Sequence, residues 1–289
     1  MGWSARRIGR ELAGLGLVER PEHFELAARW QGVDADLRAG RFVLSRDWNP
    51  LELARQLQES RRREMERLTV PEGSGTREIM HQLYAACGIA PASLERLLTS
   101  PELLARHHVA AGSLEGYLFP DTYDVAGLGV SDATRIVLRM LERFESAARE
   151  IGLATDANPP AGLSRHEMVT LASLIEREAR DPSEFPLVAA VFYNRLSRGM
   201  RLESCATVLY ALGRRGGPLL FSDLGVDSPY NTYRRAGLPP GPICNPGRRA
   251  LAAALSPAAT DALYFIAKGD GTHYFSRTLA EHRSARRQR

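Results

Sequence analysis

The segment Arg165-His-Glu-Met-Val-Thr-Leu-Ala-Ser-Leu-Ile-Glu-Arg-Glu-Ala-Arg180 determines how the C-terminal part of the chain folds. At about 100° per residue, its apolar side chains fall on one face of a helix. That face is made by Met168, Leu171, Ala172, Ile175 and Ala179. The pattern predicts a half-buried helix over Arg165–Arg180.

Two glutamates border this apolar face. Glu176 and Glu178 fall on opposite margins, each about 80° from the centre, so helical geometry leaves both open as candidate functional residues. Small side chains surround Glu176 and leave room for a sugar, whereas the bulkier Leu171 and Leu174 stand beside Glu178. This difference favours Glu176. The structural alternative is a surface ion pair between Glu176 and Arg180, four residues apart.

A solitary glutamate in such a place suits one kind of bond cleavage. Breaking a glycosidic bond needs a carboxylic acid that protonates the leaving oxygen, and most hydrolases add a second carboxylate. A lyase whose substrate supplies its own attacking hydroxyl needs only one glutamate, which first donates a proton and then removes one. Apolar neighbours that raise the pKa of that glutamate favour this use.

The N-terminal half alternates helix and strand signals. The predicted elements are helices at Ala5–Leu15 and Glu22–Gln31, a strand at Arg41–Leu44, a helix opened by Asn49-Pro50, a strand at Arg67–Val70, a turn at Pro71–Gly75, and a helix at Thr76–Cys87 with Thr76 as its N-cap.

The C-terminal half is mostly helical. The pattern predicts a helix from its N-cap Asp132 to about Ile151, a linker at Thr155–Pro160, helices at Arg165–Arg180 and Phe185–Arg198, a loop-rich tract to Asn245, a helix from Pro246, a hairpin of Ala262–Ala267 with His273–Ser276, and a basic C-terminal helix or tail. The fold class is therefore α+β. We place domain boundaries to give 1–66, 67–157 and 158–289, the last being a largely helical catalytic part with a small hairpin.

Composition narrows the possible partners and cofactors. Among 289 residues, Lys and Arg number 38 and Asp and Glu 34, a net charge of +4. In the most charged stretch, Glu59–Arg67, acids alternate with bases and no aromatic residues interleave, which argues against nucleic-acid binding. The three cysteines lack metal-ligand spacing, so we predict neither a metal nor another cofactor. The sequence contains no apolar run of about 18 residues, so it predicts no membrane span.

Several segments occur in an order that resembles the endolytic murein transglycosylase family, the YceG-like proteins. They are Glu115-Gly-Tyr-Leu-Phe-Pro-Asp-Thr-Tyr, Leu171-Ala-Ser-Leu-Ile-Glu-Arg-Glu, Val191-Phe-Tyr-Asn-Arg-Leu, Gly199-Met-Arg-Leu, Tyr230-Asn-Thr-Tyr, Gly237-Leu-Pro-Pro-Gly-Pro-Ile, Asn245-Pro-Gly and Tyr264-Phe. The resemblance covers roughly Leu68 to His282.

The resemblance implies a function and a cellular setting. In that family the first glutamate of the Ala-Ser-x-x-Glu-x-Glu segment is the catalytic acid/base, which carries over to Glu176, with Glu178 as a supporting residue. It further implies a LysM-like N-terminal subdomain, peptidoglycan glycan strands as substrate and wall-synthesis enzymes, such as penicillin-binding proteins, as partners. Members face the wall from the cytoplasmic membrane, held by an N-terminal helix that we take to be absent from this chain.

The chain departs from the family at one position. After Gly-Met-Arg-Leu the family usually has Gln, a small polar residue and then Asp-Pro-Thr-Val, whereas this chain has Glu203-Ser-Cys-Ala-Thr-Val208. Cys205 thus replaces an acid, and we transfer no role to it. The replacement puts the activity or the substrate preference in doubt.

Further candidates for substrate binding are polar and aromatic. They are Asn194, Tyr230, Asn231, Tyr233 and Glu115, whose amides, rings and carboxylate suit amphipathic glycans. In the alternative interpretation, Tyr230 to Tyr233 only hold their own loop in place and Glu115 only caps a loop. His273 is expected to be a structural histidine rather than a second acid/base.

Two alternative functions stay open. A muramidase would need a second carboxylate near Glu176, for which Glu178, Glu203 and Asp227 are the nearest in sequence. A non-catalytic glycan-binding scaffold is suggested by the loss of the acid at Cys205.

Overall fold

The computed structural model describes residues 3–34, 37, 44–65, 67–125, 128–129, 131–153 and 160–287, without the side chains of 59–65. The chain divides into two compact units, Met1–Leu68 with Tyr123–Gly127, and Thr69–Thr122 with Leu128–Arg289. Helices dominate the described residues and the two sheets each have two strands, so the predicted α+β class is confirmed. The LysM-like label is not confirmed. The domain boundaries at 66 and 157 stay a prediction.

Among its described residues, the first unit contains three helices, α1 (Ala5–Gly14), α2 (Pro21–Trp30) and α3 (Pro50–Met65). The Ser4 hydroxyl accepts from the backbone N–H of Arg7 at 3.4 Å and caps α1, while proline begins α2 and α3, where its missing N–H leaves no bond unmade. Apolar side chains of the helices, led by Phe24, Leu53 and Ala54, make the core. The helix predictions are confirmed here, but the strand predicted at Arg41–Leu44 lies outside the described residues except for Leu44.

A small sheet joins β1 (Arg67–Thr69) to β2 (Thr122–Asp124). The hydroxyls of Thr69 and Thr122 lie 2.9 Å apart across it, and the N–H of Val70 donates to the carbonyl of Asp121. The turn at Pro71–Gly75 follows β1 directly. Pairing with β2 therefore fixes where that turn leaves the sheet.

The second unit holds nine further helices among its described residues. They are α4 (Thr76–Cys87), α5 (Pro91–Leu98), α6 (Pro101–Arg106), α7 (Ala133–Glu150), α8 (Arg165–Glu178), α9 (Phe185–Ser197), α10 (Cys205–Ala211), α11 (Arg248–Leu255) and α12 (Leu279–Arg287). Most predicted helices are confirmed within two residues. The linker predicted at Thr155–Pro160 lies outside the described residues except for Pro160.

Two details of the sequence prediction differ from the structure. Gly75, not Thr76, is the N-cap of α4, since Gly75 is extended and Thr76 is the first helical residue. The tract expected to be loop-rich also contains α10, a helix of seven residues that is too short to show a clear period. The N-cap of α7 is Asp132 as predicted, although its carboxylate accepts from the N–H of Gly129, which precedes it, and not from a helix N–H.

Helix α8 is the centre of the second unit. Ser164 and Glu167 form a capping box at its start, and Ala179 is extended at its end, where Asp181 precedes Pro182. Every residue from Arg165 to Ile175 except Glu167 is buried, because α9, α10 and α11 pack against the helix. The expectation of a half-buried helix running to Arg180 was therefore wrong.

The polar residues of α8 are satisfied inside the protein. The Ser173 hydroxyl donates to the carbonyl of Thr170 and accepts from the N–H of Ile243, at 2.7 and 3.0 Å. His166 Nδ1 lies 2.8 Å from the hydroxyl of Tyr117. Because these polar side chains have hydrogen-bond partners inside the protein, α8 is buried well beyond its narrow apolar face.

The predicted hairpin is confirmed. Strands β3 (Tyr264–Ala267) and β4 (His273–Ser276) pair antiparallel, with Tyr264 opposite Ser276. Gly269 and Gly271 take positive φ angles of 105° and 97° in the turn, a region that glycine enters without steric cost. Helix α12 follows and is basic, as expected.

Candidate active site

Glu176 lies in the last turn of α8 and is half-buried. Its Oε2 accepts a hydrogen bond from the backbone N–H of Gly247 at 2.9 Å. Burial raises the pKa of Glu176 to about 7, opposed by that N–H and by Arg177, and supported by the negative charge of Glu72. Glu176 is therefore poised to hold or release a proton near neutral pH. Because α8 ends at Glu178, Arg180 lies beyond the helix, which removes the basis of the surface-pair alternative.

The turn after β1 packs against this glutamate. Gly73 has a φ of 74°, and a Cβ at this position would lie 3.4 Å from Glu176 Cγ. The preceding Glu72 extends over Gly247, where a Cβ would collide with its carboxyl group. Both carboxyl groups thus approach Gly247. The sequence indicated the turn but not that Glu72 belongs to the site.

Asn245 connects the loops that build the site. Its fully buried side chain accepts from the N–H groups of Gly116 and Leu118 at 3.0 and 2.8 Å. Its amide NH₂ donates to the carbonyl of Ser74 at 2.9 Å and to Glu115 Oε1 at 3.3 Å. One side chain therefore ties together the turn after β1, the loop at 115–118 and the segment that carries Gly247. The sequence had noted Asn245 only as part of a motif.

Glu115 is buried at the start of α4. Both carboxylate oxygens accept from the N–H of Thr76, at 3.0 and 3.2 Å. Burial raises the pKa of Glu115 to about 7, and the bonds from Thr76 oppose the rise. Its position at a helix N-terminus fits the alternative that it caps a local structure, and it also lines a cavity of about 580 Å³.

This cavity lies beside Glu176 rather than around it. Its wall includes the start of α4, one side of α10, Arg177, Arg215 and Ile243, but not Glu176 itself. Arg177 follows Glu176 in the chain, and a Cβ at Gly73 would lie 3.8 Å from Arg177 Cδ. Glu176 and the cavity therefore lie on either side of the turn at Gly73.

Tyr230 lies next to this cavity. Its ring centroid is 4.8 Å from that of Tyr210, a residue of the cavity wall that the sequence did not single out. Burial, and then the nearby Glu115 charge, raise the pKa of both phenols. The structure thus brings Tyr230 and Glu115 together, as expected of residues that share a binding site.

Glu178 points to α10 rather than to Gly247. It accepts a short hydrogen bond from the Ser204 hydroxyl and a bond from the N–H of Ala206, at the start of that helix. Burial raises the pKa of Glu178, and these bonds and the charge of His273 oppose the rise. A supporting role is open to it through the orientation of α8 against α10.

Cys205, which stands in place of the family acid, is exposed. Its Sγ lies 3.1 Å from the hydroxyl of Tyr233. Burial and this thiol raise the pKa of Tyr233, and Glu178 adds to the effect. Tyr233 therefore belongs to the surroundings of Glu178.

Asn194 and Asn231 use their amides within the fold. The NH₂ of Asn194 donates to the carbonyls of Thr260 and Ala262, at 2.8 and 2.9 Å. The NH₂ of the buried Asn231 donates to the carbonyls of Leu224 and Val226. Asn231 locks its own loop, which was the alternative for the 230–233 cluster, and sugar binding by either amide stays a prediction.

The other candidate acids and the histidine have partners elsewhere. Glu203 pairs with Arg195 at 3.3 Å, and the exposed Asp227 pairs with Arg235 at 3.0 Å. His273 Nδ1 lies 2.7 Å from Glu184, and its structural role stays a prediction. In the described part of the chain, no three His, Cys, Asp or Glu side chains gather as a metal site would require. Nor is any described helix long and apolar enough to cross a membrane.

Two curated relatives of this chain have the same name. A 43% identical protein of Bacillus subtilis, matched over 60% of this chain and 47% of its own length, is named endolytic murein transglycosylase. A protein of Streptococcus pneumoniae with the same name is 30% identical and is matched over 97% of this chain and 56% of its own length. The chain spans about half the length of the curated relatives it matches.

A solved structure has the same fold. The crystal structure of a putative YceG-like protein from Listeria monocytogenes superposes with a TM-score of 0.72 at 32% identity, covering 98% of this chain and 95% of that one. The family model described as YceG-like family matches residues 1–288. This chain therefore belongs to the YceG-like family.

Proposed function

We propose that the protein is an endolytic peptidoglycan lytic transglycosylase. It cleaves the β-1,4 bond from MurNAc to GlcNAc in nascent glycan strands and leaves 1,6-anhydroMurNAc ends, in wall synthesis or remodelling. The observation that carries the proposal is Glu176, half-buried, with its pKa raised to about 7 and one oxygen held by the N–H of Gly247. The names of the relatives support the same reaction class.

Glu176 serves as both acid and base. Protonated Glu176 gives its proton to the glycosidic oxygen as the bond to the muramyl anomeric carbon breaks, which releases the leaving sugar. The resulting carboxylate removes the proton of the muramyl 6-hydroxyl, whose oxygen attacks the same carbon and closes the anhydro ring. Glu176 is then protonated again. The N–H of Gly247 stabilises the carboxylate between the two steps and leaves the other oxygen free for the proton.

The decisive experiment measures product mass. Digestion of peptidoglycan should yield anhydromuropeptides that lack the water present in muramidase products. Glu176→Gln should lower their formation by a factor of 100 or more, on the order of the contribution of a general acid. Glu142→Gln, an exposed glutamate of α7, is the matched control and should retain activity. Products with ordinary reducing ends would refute the lyase mechanism.

A muramidase remains the second candidate, and Glu72 is the observation that favours it. Its carboxyl group lies near Glu176 and Gly247, where hydrolysis would need a second acidic group to activate water. The same digestion in ¹⁸O-labelled water separates the two reactions. Hydrolysis places the label in the muramyl product, whereas anhydro ring closure places none.

A non-catalytic scaffold is the third candidate, suggested by Cys205. It would sediment with insoluble peptidoglycan and release no fragments. Burial raises the pKa of Glu115, at the start of α4, to about 7 as it does that of Glu176, so the release of fragments and not the pKa separates this candidate from the enzyme.

We also propose that the protein acts on the wall-facing side of the cytoplasmic membrane, next to wall-synthesis enzymes such as penicillin-binding proteins. Nascent glycan strands emerge there, which supports the placement. Fractionation of cells that express the full-length gene product, and crosslinking in the same cells, test both points. Recovery in the cytoplasm would contradict the first, and crosslinks that exclude wall-synthesis enzymes would contradict the second.

A further inference from the structure

The cavity next to Glu176 has a cationic wall. Four arginines line it, namely Arg77, Arg177, Arg214 and Arg215. Two of them have acidic partners, because Arg214 pairs with Asp223 at 3.1 Å and Arg215 pairs with Glu78. For Arg77 and Arg177, no carboxylate of the described residues lies at ion-pair distance.

Arg177 is held in place by the fold. One of its Nη atoms donates to the carbonyl of Arg215 at 2.5 Å, and Arg215 in turn donates to the carbonyl of Gly73. A guanidinium has five N–H donors, so this bond leaves most of them available to a ligand. The loop at 213–215 thus fixes Arg177 without neutralising it.

Arg77 faces the same space from α4. It is exposed, and one Nη atom lies 3.2 Å from where a Cβ of Gly213 would be. The two unpaired guanidinium groups therefore line one cavity from two helices, Arg77 from α4 and Arg177 from α8. Each can bind an acidic group that enters the cavity, in the forked geometry that arginine forms with carboxylates.

The size and position of the cavity restrict the ligand. A volume of about 580 Å³ admits a sugar with part of a peptide, and apolar residues such as Met80, Leu209 and Ile243 complete the wall. The turn at Gly73 separates the cavity from Glu176, so its occupant would be attached to the reacting sugar. In a glycan strand whose sugars are uncharged, carboxylates are found on the stem peptide.

We infer that this cavity is a subsite for the carboxylate of a stem peptide on the strand being cut, bound by Arg77 and Arg177. The inference rests on the proposed function, since it names a part of the substrate of that reaction. It means that the protein distinguishes strands whose stem peptides carry free carboxylates from strands whose peptide carboxylates are amidated.

The first test compares two substrates. Wild-type protein should cleave peptide-bearing strands with a kcat/KM about tenfold above that for the same strands with their peptide carboxylates amidated, a factor in line with one charge-assisted hydrogen bond. Arg77→Gln should bring the ratio close to one, and Arg77→Glu should bring it below the ratio of Arg77→Gln. Arg249→Gln, an exposed arginine of α11, is the matched control. Equal cleavage of both substrates by the wild type would overturn the subsite and leave the proposed function standing.

The second test needs no cleavage. Calorimetry with the Glu176→Gln protein measures binding of a disaccharide–tetrapeptide and of its carboxyl-amidated form. The free acid should bind about tenfold more tightly than the amidated form, and Arg77→Gln or Arg177→Gln should remove the difference. If the amidated form binds as tightly as the free acid, the cavity does not recognise a carboxylate, whatever the reaction catalysed.

Discussion

At the scale of the residue, Gly247 is where two carboxyl groups meet. Its N–H donates to Glu176, and the carboxyl group of Glu72 occupies the space of its absent side chain. The two acids influence each other, because the charge of Glu72 makes ionisation of Glu176 less favourable. Glu72 thus acts through Glu176 and is a positioning residue.

Glu72→Gln should change the pH dependence of the reaction. Burial and Glu72 both raise the pKa of Glu176, to about 7, so removing the charge of Glu72 lowers it. Since the acid must be protonated at the start, kcat/KM falls as pH rises through this pKa. The decline should therefore begin at a lower pH in Glu72→Gln than in the wild type.

The pH profile of kcat/KM checks this effect, with Glu142→Gln as a control that keeps the wild-type midpoint. A merely structural role for Glu72 would reduce the rate at every pH without moving the midpoint. An unmoved midpoint would thus exclude the electrostatic coupling, even if activity drops.

At the scale of the element, α1 and α2 approach closely at Gly9. A Cβ at position 9 would lie 2.5 Å from the carbonyl oxygen of Pro21, a backbone atom with little freedom to move. Gly14, at the end of the same helix, has no atom within 4 Å of its Cβ position. The two glycines therefore offer a matched comparison between packing and helix propensity.

Gly9→Ala should destabilise the first unit by about 1–3 kcal/mol, as overpacking does. Helix propensity alone predicts the opposite, a gain of up to about 1 kcal/mol, which Gly14→Ala should approach. Urea denaturation followed by circular dichroism measures both changes. If the Gly9→Ala and Gly14→Ala proteins have the same free energy of unfolding, α1 and α2 do not approach each other closely at Gly9.

The sequence predicts elements where one local signal dominates. The apolar period predicted the start of α8 at Arg165, and glycines predicted the turn of the hairpin at 269–271. The burial of α8 beyond its apolar face was not predictable from its own residues, because the groups that satisfy Thr170 and Ser173 are partly supplied by distant loops. The helix α10 was missed for lack of length.

At the scale of the whole molecule, Asn245 holds together segments that are far apart in the sequence. Its bonds reach Ser74, Glu115, Gly116 and Leu118, at separations of 171, 130, 129 and 127 residues. No pattern within a window of 18 residues reveals such contacts. Glu176 was therefore predicted from the pattern of its own helix and from the family resemblance of the chain. Glu72 and the arginine-lined cavity depend on distant contacts and were not predicted.

Asn245→Ala should lower the free energy of unfolding by about 3 kcal/mol. The N–H groups of Gly116 and Leu118 would be left buried without their partner, and each such loss costs roughly 1–3 kcal/mol before relaxation. The carbonyl of Ser74 would keep its bond from the backbone N–H of residue 245. Urea denaturation measures the change, with Glu142→Gln as an exposed control. A loss below about 1 kcal/mol would mean that water replaces the amide and that the loops do not depend on it.

The same long separations have a consequence for the protein while it is being made. A ribosome delivers the chain from its N-terminus, so the turn at Gly73 and the loop at Gly116 emerge long before Asn245 does. Until Asn245 and Gly247 follow, Glu176 has no N–H to fix its carboxylate and the loops around it have no common partner. A growing chain therefore carries its acid without an orientation until the segment with Asn245 and Gly247 has also been made.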